Sequence, residues 1–220
     1  MGNRIVRREQ FSDLTFLWEI EAPDVAEAAE PGHFVMVRLH EEGERIPLTV
    51  ADFDRERGTI TVVVQALGKT TAAMRDQYEE GDEVLDFVGP LGLPQHIEKA
   101  GHVVLVGGGL GVAPVYPQLR AFKEAGNRTT CIVGFRDASR RFWLEKLAQW
   151  ADELIVCTDD GSAGRPGYVD AALTDLLQRD PADLVVAIGP MPMMRACSEA
   201  SRPFGVRTMV SLNTIMVDGT

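Results

Sequence analysis

Apolar and polar positions change rhythm near residue 100. Before it, short alternating or apolar runs at 5–8, 14–20, 33–39, 60–66 and 83–88 carry the two-residue period of strands. Turn signals at Pro23, Pro31-Gly32, Glu42-Gly43, Arg57-Gly58 and Gly81-Asp82 separate these runs. Arg45-Ile46-Pro47-Leu48-Thr49 opens a further strand. One helix interrupts the series at 72–79, with Thr70 or Thr71 as its N-cap. Many short strands at this spacing predict a small antiparallel β-barrel. The stretch 89–94 reads as a loop leading out of it.

Beyond residue 100 strand and helix patterns alternate. Strands are expected at 103–106, 130–134, 153–157, 184–188 and 208–210, and helices at 112–125, 142–150, 169–179 and 192–201. This alternation predicts a doubly wound parallel sheet of the α/β class, with ligands at the carboxyl ends of its strands. The chain therefore divides into a barrel domain, 1–98, and an α/β domain, 99–220.

The clearest local signal is the apolar run Val103 to Val106, which breaks into Gly107-Gly108-Gly109-Leu110-Gly111-Val112-Ala113-Pro114. A helical pattern follows, with Tyr116, Leu119 and Phe122 on one face. Strand, glycine turn and helix N-terminus together make the local geometry that binds a pyrophosphate. Pro114 and Pro117 fit the first helical turn, where a missing N–H costs little. From Gly109 the spacing is G-x-G-x-x-P, with proline where the usual fingerprint has its third glycine. On this evidence alone the turn reads either as a phosphate cradle or as a tight βα connection.

Charge narrows the partners. With 22 Lys and Arg against 33 Asp and Glu the net charge is −11, which argues against nucleic acid or an anionic membrane surface. No apolar run is long enough to span a bilayer and no signal segment opens the chain, so a cytoplasmic location is expected. Cys131, Cys157 and Cys197 are too widely spaced for a local metal motif and read as reduced thiols, the first two buried. The four histidines show no zinc-ligand spacing, and Met191, Met193 and Met194 read as packing residues. No metal site is predicted. No Ser-His-Asp ordering suggests a hydrolase.

Two further stretches are candidates for phosphate binding. Arg45 beside the proline-stiffened Ile46-Pro47-Leu48 and the Thr49 hydroxyl suits a phosphate next to a polar ring edge. Gly68-Lys69-Thr70-Thr71 precedes the barrel-domain helix and suits a phosphate on a helix N-terminus. Each taken singly reads more simply, as a surface arginine and as an N-cap.

The order of all six motifs is more specific than any one of them. Arg45-Ile46-Pro47-Leu48-Thr49, Gly68-x-x-Thr71, Gly89-Pro90-Leu91-Gly92, Gly109-x-Gly111-x-x-Pro114, Thr158-Asp159-Asp160-Gly161-Ser162 and Gly189-Pro190-Met191-Pro192-Met193 together resemble the ferredoxin–NADP reductase superfamily. Pro31 to Val35 and the tail from Ser211 to Thr220 narrow the resemblance to the FAD-carrying electron-transfer subunits found in NADH-dependent reduced-ferredoxin:NADP oxidoreductase, sulfide dehydrogenase and dihydroorotate dehydrogenase.

The resemblance implies a flavoprotein oxidoreductase that moves a hydride between NAD(P)H and FAD. Electrons then pass to an iron–sulfur partner, which would be a larger subunit of a hetero-oligomer or a ferredoxin. It implies that Arg45 pairs with the FAD pyrophosphate, that Thr49 bonds near flavin N5, and that Ile46, Pro47 and Leu48 shape the flavin bed. Gly68, Thr70 and Thr71 would close on the FAD phosphates, and Gly107, Gly108, Gly109, Leu110, Gly111, Val112, Ala113 and Pro114 would receive the nicotinamide nucleotide's pyrophosphate. Asp159, Asp160, Gly161 and Ser162 would line the adenosine end, with Gly189, Pro190 and Met191 beside the nicotinamide. Arg136 is placed to read a 2′-phosphate, although the resemblance favours NAD(H) over NADP(H).

Two departures stand out. Ile188 replaces the cysteine that many superfamily members carry before Gly-Pro, so no thiol is expected beside the nicotinamide. A [2Fe–2S] segment is expected in full-length relatives, but this sequence reads as truncated before it and offers no ligands. Two alternatives remain at this level: a stand-alone ferredoxin or flavodoxin reductase, and a nucleotide-binding regulatory module without flavin.

Overall fold

One short stretch closes the first sheet on itself. The strands of the first half are β1 (Asn3–Gln10), β2 (Thr15–Glu21), β3 (Phe34–Arg38), β4 (Ile46–Asp54), β5 (Thr59–Gln65), β6 (Glu83–Val84) and β7 (Asp86–Leu91). They pair in the order β6-β1-β2-β5-β4-β3-β7, every pair antiparallel. The two outermost strands, β6 and β7, are separated in sequence by Leu85 alone. Edges joined by one residue must lie together, so the sheet curls into a barrel. Period-two alternation fills it: Ile5, Phe16, Trp18, Ile20, Val35, Val37, Val50, Ile60, Val62 and Val64 form one buried cluster. Trp18 packs between Phe16 and Tyr78, with ring centroids 5.9 and 5.7 Å away.

The computed structural model describes residues 3–212. It divides into two units, one running to Gln95 and one beginning at His96. The tail motif beginning at Ser211 lies outside the described residues from 213 onward.

Several barrel elements depart from the sequence expectations. The run 83–88 is two strands rather than one, and β7 continues through Gly89, Pro90 and Leu91, which the glycine and proline had marked as loop. A six-residue helix, α1 (Pro23–Ala28), stands where Pro23 had signalled only a turn. Proline at a helix N1 position looks the same in sequence as proline in a turn, and no polar cap precedes this one. Helix α2 runs Lys69–Gln77 with Gly68 as N-cap, so neither Thr70 nor Thr71 caps it in the expected sense.

The second unit contains β8 (His102–Gly108), α3 (Val112–Glu124), β9 (Arg128–Phe135), α4 (Leu144–Ala148), β10 (Glu153–Thr158), β11 (Arg165–Pro166), α5 (Val169–Arg179), β12 (Leu184–Ile188), α6 (Met191–Ser201) and β13 (Arg207–Val210). All of its strands pair in parallel, in the order β11-β10-β9-β8-β12-β13. From β8 the chain winds outward to β11, then returns to β12 on the other side. The order therefore reverses between β8 and β12, which is where ligands bind in open α/β sheets. Helix α3 packs on β8 and β9, and its expected apolar face of Tyr116, Leu119 and Phe122 is buried. Helices α5 and α6 cover Val104, Val106, Ile132 and Cys157.

Two helix details differ from expectation. Pro117 lies inside α3 rather than in its first turn, and deletes the bond an N–H there would give to Ala113. Helix α4 begins only at Leu144, because Trp143 takes a left-handed conformation with φ of 59°. All three cysteines are free and buried, and burial pushes the Cys131 and Cys197 thiols up to about 12. Among the described residues no helix is long and apolar enough to cross a membrane, and no group of three metal-binding side chains occurs.

Candidate functional site

On the barrel, strand alternation sorts the Arg45–Thr49 stretch into two sets. Ile46 and Leu48 pack against the core cluster, while Arg45, Pro47 and Thr49 alternate with them and are exposed. The proline ring and the hydroxyl thus stand on the outer face of β4, with the cation just before its first residue. Arg45 donates from Nη2 to Asp86 Oδ2 at 2.9 Å, and Arg38 donates from Nε to the same oxygen at 2.6 Å.

Glu44, beside Arg45, accepts a hydrogen bond from Thr70 Oγ1 at 3.0 Å. That bond ties the Arg45 loop to the N-terminus of α2, so two motifs more than twenty residues apart meet at one place. Thr71 Oγ1 accepts from the Leu67 and Gly68 N–H groups at 3.1 and 3.0 Å and donates to the Gly68 carbonyl. Thr71 holds the turn into the helix, and the first N–H groups of α2 remain for an anion.

Gly68 itself is informative. Its φ of −124° and ψ of 175° are extended and open to any residue. A Cβ built there would meet nothing nearer than Thr71 Oγ1 at 4.0 Å. Every other described glycine has either a positive φ or a neighbour that a Cβ would crowd. The fold makes no demand for glycine at 68, and the open space at a helix N-terminus suits the backbone approach of a phosphate. These residues fit the pyrophosphate of a dinucleotide.

In the second unit the glycine run leaves β8 at the reversal point. Gly109 has φ of 54° and open space around it, and Gly109–Gly111 form a 3-10 turn that leads into α3. Gly189, Pro190 and Met191 follow the end of β12, whose Ile188 pairs with Gly107. The two segments are packed through Met193, which lies against Gly108 and Gly189. Gly111 also serves packing: a Cβ there would fall within the Ile188 carbonyl, with Ile188 C at 2.7 Å and Gly189 Cα at 2.8 Å. Its glycine is required by β12 first. Met194 is buried as expected of a packing residue, but Met191 is exposed.

The turns after β9 and β10 are laced together. Asp159 N and Asp160 N donate to the carbonyls of Phe135 and Arg136, and Ala138 N donates to Ser162 Oγ at 2.8 Å. Asp160 accepts from the Ser162 backbone at 2.9 Å and hydroxyl at 2.6 Å. Asp137 accepts from Ser139 N and Oγ and from Arg140 Nε. The Ser139 hydroxyl holds the Asp137 carboxyl below the usual range, and the Ser162 hydroxyl does the same for Asp160. Both stay ionised at neutral pH. Arg140 is paired with Asp137 through Nε, while Arg136 is exposed.

The structure thus groups Arg45 to Thr49 with Gly68 to Thr71 in the first unit. In the second it groups Gly107 to Pro114 with Gly189 to Met191, and Arg136 with Asp159 to Ser162. Sequence reading missed Arg38, Glu44 and Asp86. Their participation depends on which strands pair, and no local spacing shows that.

Comparison with known proteins places the chain in a family and a fold. Residues 105–199 match the oxidoreductase NAD-binding domain model. The chain is 47% identical over 218 residues to the dihydroorotate dehydrogenase B (NAD(+)) electron transfer subunit homolog of Thermotoga maritima, covering 99% of this chain and 77% of the relative. It is 31% identical over 206 residues to the dihydroorotate dehydrogenase B electron transfer subunit of Geobacillus thermodenitrificans, covering 90% and 77%. A chain in the solved structure of NADH-dependent reduced ferredoxin-NADP oxidoreductase, described in work on flavin-based electron bifurcation, superposes with a TM-score of 0.93. That chain is 46% identical, and the match covers 100% of this chain and 79% of that one. Phthalate dioxygenase reductase shares the fold at a TM-score of 0.76 and 19% identity.

Proposed function

Starting from the fact that this chain belongs to the family of dihydroorotate dehydrogenase B electron transfer subunits, a family of oxidoreductases, we propose that it holds FAD on its barrel and NADH on its parallel-sheet unit. The observation that carries this reading is the bond from Thr70, in the first turn of α2, to Glu44, the residue before Arg45, beside the open Gly68. When bound, the two cofactors supply the redox chemistry, a hydride passing between nicotinamide and flavin and single electrons leaving toward an iron–sulfur acceptor.

The protein's share is binding, orientation and charge. Arg45 gives charge-assisted bonds to the FAD pyrophosphate, reinforced by the N–H groups that open α2. Pro47 and Thr49 stand on the outer face of β4, a rigid ring and a hydroxyl donor for the flavin edge. The open turn at Gly109 and the N-terminus of α3 receive the second pyrophosphate, while Gly189, Pro190 and Met191 border the nicotinamide. Electrons go to a partner carrying iron–sulfur centres, a larger subunit of the same assembly or a ferredoxin.

The test is optical. Purified protein reconstituted with FAD is expected to be yellow and to bleach anaerobically on addition of NADH. Replacement of Arg45 by Ala should weaken FAD by about 1.5–3 kcal/mol, the worth of a hydrogen bond to a charged group. A protein that is colourless once unbound FAD has been removed, or an Arg45→Ala variant that binds FAD unchanged, removes the barrel site.

For the nucleotide we propose NADH over NADPH. Asp137 and Asp160, both held ionised, lie in the turns that would meet the adenosine ribose and oppose a 2′-phosphate. Flavin reduction at matched concentrations should be at least about tenfold faster with NADH, a difference near 1.4 kcal/mol. A marked NADPH preference that vanishes in Arg136→Ala would reverse the assignment and make Arg136 the phosphate reader.

A further inference from the structure

Strand register sets two arginines side by side at the barrel site. Along β3 and β4 the pairs are Phe34 with Thr49, Val35 with Leu48, Met36 with Pro47 and Val37 with Ile46. Continued by one residue, that register puts Arg38 opposite Arg45. Like charges directly opposite on neighbouring strands repel. On its other side Arg38 pairs in register with Asp86 of β7. One oxygen of Asp86, Oδ2, takes both guanidinium groups, Arg38 Nε at 2.6 Å and Arg45 Nη2 at 2.9 Å.

Burial grades across this triad. The side chains of Arg38 and Asp86 are 23% and 26% exposed, and that of Arg45 is 56% exposed. The inner arginine also donates from Nη1 to the Glu41 carbonyl at 3.4 Å, anchoring the loop that leads to Arg45. A lone Asp–Arg pair would hold the outer guanidinium still but neutralise it. With Arg38 behind the carboxylate the triad keeps one net positive charge. Arg45 gives up one of its five donors and keeps the rest for an anion.

We infer that Asp86 is a positioning residue for the phosphate-binding arginine, fixing the Arg45 guanidinium, and that Arg38 restores the charge this would otherwise cancel. The inference rests on the assignment of the FAD pyrophosphate to Arg45. It adds that this binding site is an Arg38–Asp86–Arg45 relay across three strands. A pre-fixed side chain loses less freedom when the ligand arrives, so removing Asp86 should weaken the phosphate contact without touching the flavin ring.

Titration of the apoprotein with FAD and with riboflavin, which has no phosphate, separates the roles. Asp86→Asn keeps the shape and an acceptor but loses the charge, while Asp86→Ala removes both. Each is expected to weaken FAD about tenfold, the cost of ordering the Arg45 side chain only when the ligand arrives, and to leave riboflavin affinity unchanged. Asp86→Glu is expected to recover part of the loss. Arg38→Met should also weaken FAD selectively, by removing the net charge. In the Arg45→Ala background, Asp86→Asn should add nothing.

Equal losses for FAD and riboflavin would make Asp86 a purely structural residue and overturn the inference. So would additive losses in the double variant, or normal FAD binding by Asp86→Asn while Arg45→Ala binds poorly. If Arg45→Ala itself binds FAD normally, the failure belongs to the underlying site assignment.

Discussion

Gly111→Val is expected to unfold the second unit at markedly lower denaturant and to abolish reduction of the flavin by NADH. Even the first added carbon would lie between the Ile188 carbonyl and Gly189 Cα, both backbone atoms with no side chain to swing away. Alanine alone should therefore cost about 1–3 kcal/mol, the usual range for overpacking, and valine more. Urea unfolding of wild type, Gly111→Ala and Gly111→Val checks the order. The sequence suggests a simpler result, a blocked pyrophosphate in an intact fold. A Gly111→Val protein with wild-type stability that fails only to bind NADH would restore that reading.

Gly68→Val is expected to do the opposite, leaving the fold alone and removing the flavin. The backbone at 68 is already extended, a conformation that suits a β-branched residue, and the space beside it is open. Stability of the apoprotein should stay within about 0.5 kcal/mol of wild type. The added methyl groups would occupy the space proposed for the FAD phosphates, and affinity should fall at least about a hundredfold, near 2.7 kcal/mol. FAD titration and urea unfolding of the same preparation give both numbers. Unchanged FAD affinity would take Gly68 out of the site, and a large loss of stability would mean that glycine serves the fold after all.

The contrast between these two glycines shows where sequence reading stops. Both sit in short motifs before a helix, and from the chain alone each suggests a phosphate. The demand on Gly111 comes from Ile188, which β12 brings alongside from far down the chain. The strand, turn and helix around 103–122 were legible because they are local: an apolar run, glycines, then apolar residues at helical spacing. The parallel sheet and the antiparallel barrel followed from the two rhythms of hydrophobicity. Helix α1 was hidden because Pro23 is equally at home in a turn, and the late start of α4 because nothing local marks Trp143 for a positive φ. Asp86 could not be found at all. One acidic residue in a mixed run says nothing until the strands that flank it are known.

The way the barrel closes has a bearing on how it comes into being. Asn3 and Arg4 of β1 pair with Val84 and Glu83 of β6, some eighty residues downstream. Until that part of the chain has been made, the outer margin of β1 and that of β3 both have no partner, and each is a template for another strand. The same few residues then cover both margins in a single event, since β6 and β7 differ in position by one residue. Completion of the barrel thus reaches across most of its length, a topology that slows folding. During synthesis the margins of β1 and β3 stay open to mispairing until Leu91 clears the ribosome, and only then does each gain its partner strand.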